Sequence, residues 1–502
     1  MGEQFHIVMY PWLHLGHIIP YLHFANKLAE RSGHKIRTTL LLPKKAVPQL
    51  NHMNLHPSLI SLHPITIPHV DPLPLGAETA SDVPPHLAPH LATAMDLTRP
   101  EVQSTILGVQ PRATLIFYDI AYWVNEIASE LGIKTVCYMP VCAACQAMAI
   151  AMRPTQDNAV PELAPEYPST DVVLRGPAEW RKISLRTSQF GSGLKFSERT
   201  RRSKTLCDAI GLRTCREIEG AFCDYVSSHF GKPLLLSGPV LPEPNKATPL
   251  DPEWAAWLGR FGRGSVVFCT LGSQMTLEKE QFQELLLGFE MTKMPFLVVL
   301  KAPSGCASID EALPEGFQER VGDRGVVHGG WVQQPQILSH PSVGCFVSHC
   351  GLGALWESLM SECQIVLLPQ AWDHIMNARI MAAQMKVAVE VEKREEDGWV
   401  SKESFCKAIK AVMDEESEVG CLVKRNHATW REVITRQGFM DGYVDNFIKD
   451  LERLVANVEV TAEVPSDHPE PLREQTQHSS LEPSRSSTRP HKMPPHLQDY
   501  VE

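Results

Sequence analysis

Val343–Met360, VGCFVSHCGLGALWESLM, is the stretch on which the reading of the fold turns. Val343–Ser348 is a short apolar run suited to a buried strand, His349–Gly353 is a glycine-containing turn, and Ala354–Met360 has helical spacing. A strand passing through such a turn into a helix aims backbone N–H groups and the positive end of a helix dipole at one point. An anion can sit there, and His349 stands at the turn with a ring able to donate to a phosphate. The chain has neither a GxGxxG after a strand nor a GxxxxGK[ST], so NAD-type and Walker-type sites lose their main support.

The same alternation recurs on both sides of this stretch. Phe5–Tyr10, Thr38–Pro43, Ala113–Tyr118, Lys134–Tyr138 and Pro233–Leu236 are short apolar runs in the first half. Ser265–Leu271, Phe296–Lys301, Gly325–His328, Val343–Ser348, Gln364–Pro369 and Val387–Val391 follow in the second. Continuous runs of Val, Ile and Leu between helical patterns predict parallel sheets covered on both faces. They are too many and too far apart for one sheet, and Ser237–Asp251, SGPVLPEPNKATPLD, reads as a proline-rich linker. The expected fold is α/β, with two doubly wound Rossmann-like domains facing across a cleft. Residues 1–236 form the first domain, 237–251 the linker and 252–440 the second. A helix over 441–456 is expected to return to the N-terminal domain, and residues 457–502, rich in Pro, Ser, His and Glu, to be a disordered tail.

Composition narrows the function. Across 502 residues there are 47 Lys+Arg against 58 Asp+Glu, a net charge of −11, with 43% hydrophobic and 21% charged residues. This is globular composition, and the acidic surplus argues against nucleic acid as a partner. No basic segment leads into an apolar one at the N-terminus, so no secretory leader is expected. The longest apolar run, Val136–Met152, is broken by Pro140 and Gln146 and is too short to span a membrane. Thirteen cysteines without paired spacing imply reduced thiols and a cytoplasmic location. Cys142 and Cys145 read as small buried residues, with no second pair to complete a metal site. The basic run Lys195–Lys204 reads as a solvated face.

The longer segment Trp331–His374 resembles the C-terminal signature of plant UDP-dependent glycosyltransferases acting on secondary metabolites, carried by Trp331, Gln334, His340, Gly344, His349, Cys350, Gly351, Glu357, Pro369 and Asp373. The resemblance extends to PWLHLGHIIP near the start, the Asp119 segment, SGPVLP and Leu271–Gln274. It implies the two-domain GT-B fold. It also implies that Trp331 stacks on uracil, that the Val332 backbone pairs with the base edge, and that Gln334 and Glu357 bind the ribose hydroxyls. His349 and Ser273 would contact the diphosphate, with backbone N–H groups of Gly351, Gly353 and Ala354. Asp373 and His374 would hold hydroxyls of the transferred sugar. Leu352-Gly353-Ala354 stands where the family usually has Trp-Asn-Ser, which removes two side-chain contacts to phosphate. His374 replaces the final Gln of the signature, and Trp372 precedes Asp373. The Leu-Gly-Ala replacement, together with PWLHLGHIIP and VSHC, resembles the branch that adds rhamnose, xylose or glucose to a sugar already attached to a flavonoid, anthocyanin or terpenoid.

Transfer to a hydroxyl needs a base, because a neutral alcohol is a weak nucleophile. His17 lies in a loop after the first strand, before a helix expected near Pro20, at the carboxyl edge where open α/β sheets place ligands. Asp119 follows Ala113–Tyr118 at the same edge and could stabilise the imidazolium. In the family pattern the catalytic pair corresponds to His17 and Asp119, with His14 as a competitor. The expected reaction is a single inverting displacement with no metal and no cofactor beyond the UDP-sugar co-substrate. The expected partners are that donor and a small glycosylated acceptor, with no nucleic acid and no transmembrane segment, for a monomer. Two other readings are a glucosyltransferase acting directly on an aglycone and a non-catalytic sugar-nucleotide-binding protein.

Overall fold

The computed structural model describes residues 5–153, 160–183, 188–240, 249–272 and 275–462. The first half contains β1 (Phe5–Tyr10), β2 (Ile36–Pro43), β3 (Ile60–Ile65), β4 (Leu115–Tyr118) and β5 (Lys134–Met139). A two-residue antiparallel pair follows, β6 (Met152–Arg153) and β7 (Glu162–Leu163), and then β8 (Ala209–Leu212) and β9 (Leu234–Leu236). The second half contains β10 (Val266–Thr270), β11 (Phe296–Val299), β12 (Gly325–His328), β13 (Val343–Ser348), β14 (Gln364–Leu367) and β15 (Ala388–Glu390). The sheets run β3-β2-β1-β4-β5-β8-β9 and β12-β11-β10-β13-β14-β15. Each ladder is parallel and carries helices on its faces, the doubly wound arrangement expected from the sequence.

In both sheets the strand order reverses beside the first strand, between β1 and β4 and between β10 and β13. Open α/β sheets bind ligands at the carboxyl ends flanking such a reversal. His17 and Asp119 follow β1 and β4, and His349 follows β13. Topology alone therefore puts these three side chains at the edges where ligands belong.

Three local expectations are corrected. The first helix is Leu15–Arg31 and starts before Pro20, so His17 lies in its opening turn rather than in a loop. The His14 carbonyl accepts from the backbone N–H of His17 at 2.8 Å and of Ile18 at 2.9 Å, which starts the helix early. Pro20 then removes one backbone donor while its fixed φ remains helical, and Ile18, Tyr21, Leu22, Ala25 and Leu28 bury one face. The helix expected over Ala354–Met360 begins at Leu352 instead. The basic run is not a solvated face throughout. Arg199 is fully buried, donating to Asp96 and to the carbonyls of Phe190 and Ile120, and buried Lys204 donates to Gln146. Lys195 and Arg201 stay exposed, and Arg201 and half-buried Arg202 pair with Glu198.

The last helix is Phe439–Ala462. Val444, Phe447 and Leu451 are buried in the same cluster as Ile7, Phe24 and Phe117 of the first half. The Phe447 ring lies 4.7 Å from Phe24 and 6.0 Å from Phe117, between centroids, and burial of such a ring stabilises by about 1.5–3 kcal/mol. Arg31 fixes the helix start with bonds to Asp445 at 2.6 and 2.9 Å and to Asp441 at 3.2 Å. Helical backbone thus continues into the segment read as a tail, whose residues 463–502 lie outside the described residues, as do 241–248 of the linker.

The halves are also joined by a charge. Arg379, 1% exposed, pairs with Glu179 of the helix Gly176–Ile183 and with Glu390 of β15. Removing one member of such a buried set leaves charges without partners, which costs about 3–5 kcal/mol. Arg379→Ala should therefore lower the midpoint of thermal unfolding by many degrees. A midpoint unmoved in a calorimetric scan would show that the three charges are solvated instead.

Candidate active site

The first side of the site is built by β1 and β4. Asp119, fully buried, is joined through Oδ2 to Nδ1 of His17, whose side chain keeps 20% of its exposure. The second carboxylate oxygen has no hydrogen-bond partner among the described residues, so among them the carboxylate is met by His17 alone. Burial works against a charged His17 ring, but the Asp119 carboxylate outweighs it, and the pKa is raised above 6.5. Nδ1 faces Asp119, which leaves Nε2 as the atom able to take a proton.

His14, the competitor, sits 5.6 Å from the His17 ring between centroids. Its pKa is pushed down to about 3 by burial and by the neighbouring histidines His17 and His374. Such a ring is a poor base at neutral pH. It packs over Gly16, where a Cβ would stand 2.6 Å from the imidazole, so the Gly at this position makes room for His14.

Arg199 ties two loops of the first half together. Its bonds reach the carbonyls of Phe190 and Ile120, and the Phe190 ring lies 5.3 Å from Trp12 between centroids. This organising residue was misread because a run of basic residues carries no sign of which member turns inward.

The second side is the β13 turn. Cys350 adopts the left-handed backbone region, φ 70°, and its carbonyl accepts from Asn377 at 2.9 Å. The helix Leu352–Met360 starts directly afterwards with Gly351 at its cap, and Ala354 is buried in its first turn. His349 is held between two glycines. A Cβ on Gly272, itself at φ +74°, would stand 2.7 Å from His349 Nε2, and one on Gly351 2.5 Å from the same atom. His349 Nδ1 is buried and has no partner among the described residues. Burial, with His374 beside it, pushes its pKa down to about 3, so the ring is a neutral hydrogen-bonding group at pH 7.

Glu357 and Gln334 meet directly. Gln334 Nε2 donates to Glu357 at 2.7 Å, and Gln334 Oε1 accepts from Thr270 at 3.0 Å. Burial raises the Glu357 pKa, and the Gln334 bond works against that rise. Thr270 escaped the sequence reading, because a threonine ending a strand carries no distinguishing signal. Trp331 is 84% exposed, which excludes a core role, and Val332 beneath it is buried. The Val332 carbonyl accepts from the Gln334 N–H at 2.9 Å.

His374 lies 5.0 Å from His349 between ring centroids and accepts from the Ala371 N–H at 3.3 Å. Burial and the Lys393 charge lower its pKa. Asp373 is the second residue of the helix Trp372–Arg379. Ser273 lies outside the described residues. Among the described residues no group of three His, Cys, Asp or Glu side chains could hold a metal, and no helix is long and apolar enough to cross a membrane.

Comparison with known proteins agrees with this architecture. The family described as UDP-glucuronosyl and UDP-glucosyl transferases matches residues 224–425. UDP-glycosyltransferase 79B6 of Arabidopsis thaliana is 50% identical over 458 residues, covering 91% of this chain and 99% of its own. An anthocyanidin 3-O-glucoside 2'''-O-xylosyltransferase of the same plant is 53% identical, covering 89% of this chain and 97% of its own. The crystal structure of Arabidopsis UGT89C1 with UDP-L-rhamnose superposes with a TM-score of 0.70 at 20% identity, covering 91% of this chain and 99% of that one. Glycyrrhiza uralensis UGT73P12 with glycyrrhetinic acid 3-O-monoglucuronide gives 0.73 at 21%, covering 91% and 99%. The fold is thus GT-B, and the chain belongs to the plant family 1 UDP-glycosyltransferases of secondary metabolism, enzymes that take a UDP-sugar as co-substrate.

Proposed function

We propose that this glycosyltransferase transfers rhamnose, xylose or glucose from its UDP-sugar to a hydroxyl of a sugar already carried by a flavonoid, anthocyanin or terpenoid, with inversion. The observation that carries the chemistry is the His17–Asp119 pair at the carboxyl edge of the first sheet, opposite the turn that bears His349. His17 Nε2 takes the acceptor proton while the acceptor oxygen attacks the anomeric carbon. The bond from that carbon to the diphosphate oxygen breaks, and its electron pair leaves with UDP. The departing charge is met by the neutral His349 ring and the N–H groups of Gly351, Gly353 and Ala354 at the helix start. Trp331 stacks on the base, whose edge pairs with the Val332 backbone, and Glu357, oriented by Gln334, takes the ribose hydroxyls. Ser273 adds a contact to the diphosphate, and Asp373 and His374 hold the transferred sugar.

Support for a glycosylated acceptor comes from Leu352-Gly353-Ala354, which resembles the sugar-extending branch, and from the relative named as acting on an anthocyanidin 3-O-glucoside. The test crosses UDP-rhamnose, UDP-xylose, UDP-glucose and UDP-galactose with a flavonol, its 3-O-glucoside and a terpenoid glucoside. The glucosides should be turned over with at least one of the first three donors, and the free flavonol should not. Turnover of the free flavonol alone would establish an aglycone enzyme.

A further inference from the structure

Arg213 immediately follows β8, at the carboxyl edge of the first sheet, and is 3% exposed. Nε and one terminal nitrogen donate to the Val240 carbonyl, at 3.0 and 2.5 Å. The other terminal nitrogen, Nη1, makes no hydrogen bond among the described residues, and no ion pair joins the guanidinium to a carboxylate. A buried arginine satisfied only by a neutral carbonyl is out of keeping with the general pairing of buried charges.

The free nitrogen points across to the other half. It lies 3.8 Å from where a Cβ on Gly353 would stand, in the first turn of the helix Leu352–Met360. Glu357, one turn further along, is near enough to favour the guanidinium charge, but its carboxylate is held by Gln334. An unpaired cation and the positive end of a nine-residue helix therefore converge on one place. Neither can neutralise the other, and only an anion answers both. The position is also the one where Leu352-Gly353-Ala354 provides no phosphate-binding side chains.

We propose that Arg213 is a donor-binding residue, reaching from the acceptor-side half to hold the diphosphate of the UDP-sugar in place of the side chains absent at Gly353 and Ala354. This rests on the reading of the Leu352–Met360 helix start as the diphosphate site. A planar fork anchored on Val240 at one edge offers its other edge to phosphate oxygens. The diphosphate then ties the halves together, since it is held by His349 from one and Arg213 from the other.

The test compares UDP with uridine as probes, binding being followed by calorimetry on the full chain. Arg213→Met should weaken UDP binding by about 10- to 100-fold, the size of a lost hydrogen bond to a charged group, and leave uridine binding within about twofold. KM for the UDP-sugar should rise with it. Arg213→Lys, which keeps the charge without the fork, should fall between. Adding Gly353→Asn and Ala354→Ser to Arg213→Met should recover part of the UDP affinity. Equal losses for UDP and uridine, or no loss for either, would overturn the assignment in favour of a structural arginine. Should Arg213→Met fail to fold, an Arg213→Lys protein with unchanged UDP and uridine affinities would do the same. Failure on glycosylated acceptors leaves the UDP-to-uridine comparison intact, so the two proposals fail separately.

Discussion

His17→Ala protein should turn over its acceptor about 10²–10⁴-fold more slowly, the usual cost of removing a positioned base. The loss should fall in kcat, with KM for the UDP-sugar little changed, because the groups proposed to hold the donor lie at the β13 turn and at Arg213 rather than at His17. His14→Ala is the matched control. Its ring touches His17, yet with a pKa near 3 it accepts protons poorly, and its removal should cost less than tenfold. Near-normal turnover by His17→Ala, in a protein whose thermal midpoint is intact, would remove His17 from the chemistry.

The second large effect is expected at Asp119. A base at His17 works only when neutral, so the wild-type rate should fall as pH drops through the raised His17 pKa, above 6.5. Asp119→Asn removes the carboxylate that raises this value and leaves the burial that lowers it. The acid limb of the pH–rate profile should therefore move to lower pH. The maximal rate should fall as well, because an amide facing Nδ1 can reverse the tautomer and leave Nε2 protonated. The corresponding change in a serine-protease triad costs about 10⁴-fold. A purely structural Asp119 would leave the acid limb where it is, and that result would refute the pairing as a catalytic device.

Much of this was legible in the residues, and the exceptions have physical reasons. Parallel strands declare themselves as apolar runs, and β1, β13 and the half-buried edge strand β12 coincide with theirs. β3, ISLHPI, was missed because an edge strand can be half exposed and can tolerate Pro64. β8, AIGL, was missed because it is short and carries Gly211, where a Cβ would stand 2.7 Å from the Tyr138 ring. Missing β8 meant missing Arg213, since a lone arginine gains meaning only from the strand that delivers it. Asp119 was legible because it directly follows a recognisable strand, and His17 because PWLHLGHIIP resembles the family pattern around it. The inward turn of Arg199 and the bond of Thr270 to Gln334 were not, since they join side chains 103 and 64 positions apart.

The closing helix has a consequence for how the protein comes into being. Phe447 packs between Phe24 and Phe117, so the first sheet to leave the ribosome is completed by a helix made only after the whole second sheet. During synthesis that apolar face stays open while the entire second sheet is made. The nascent first half is then the species most exposed to aggregation, and chaperone demand should peak before the final helix emerges. For the same reason the two halves should resist separate expression: a chain ending before Phe439 would lack part of its own N-terminal core.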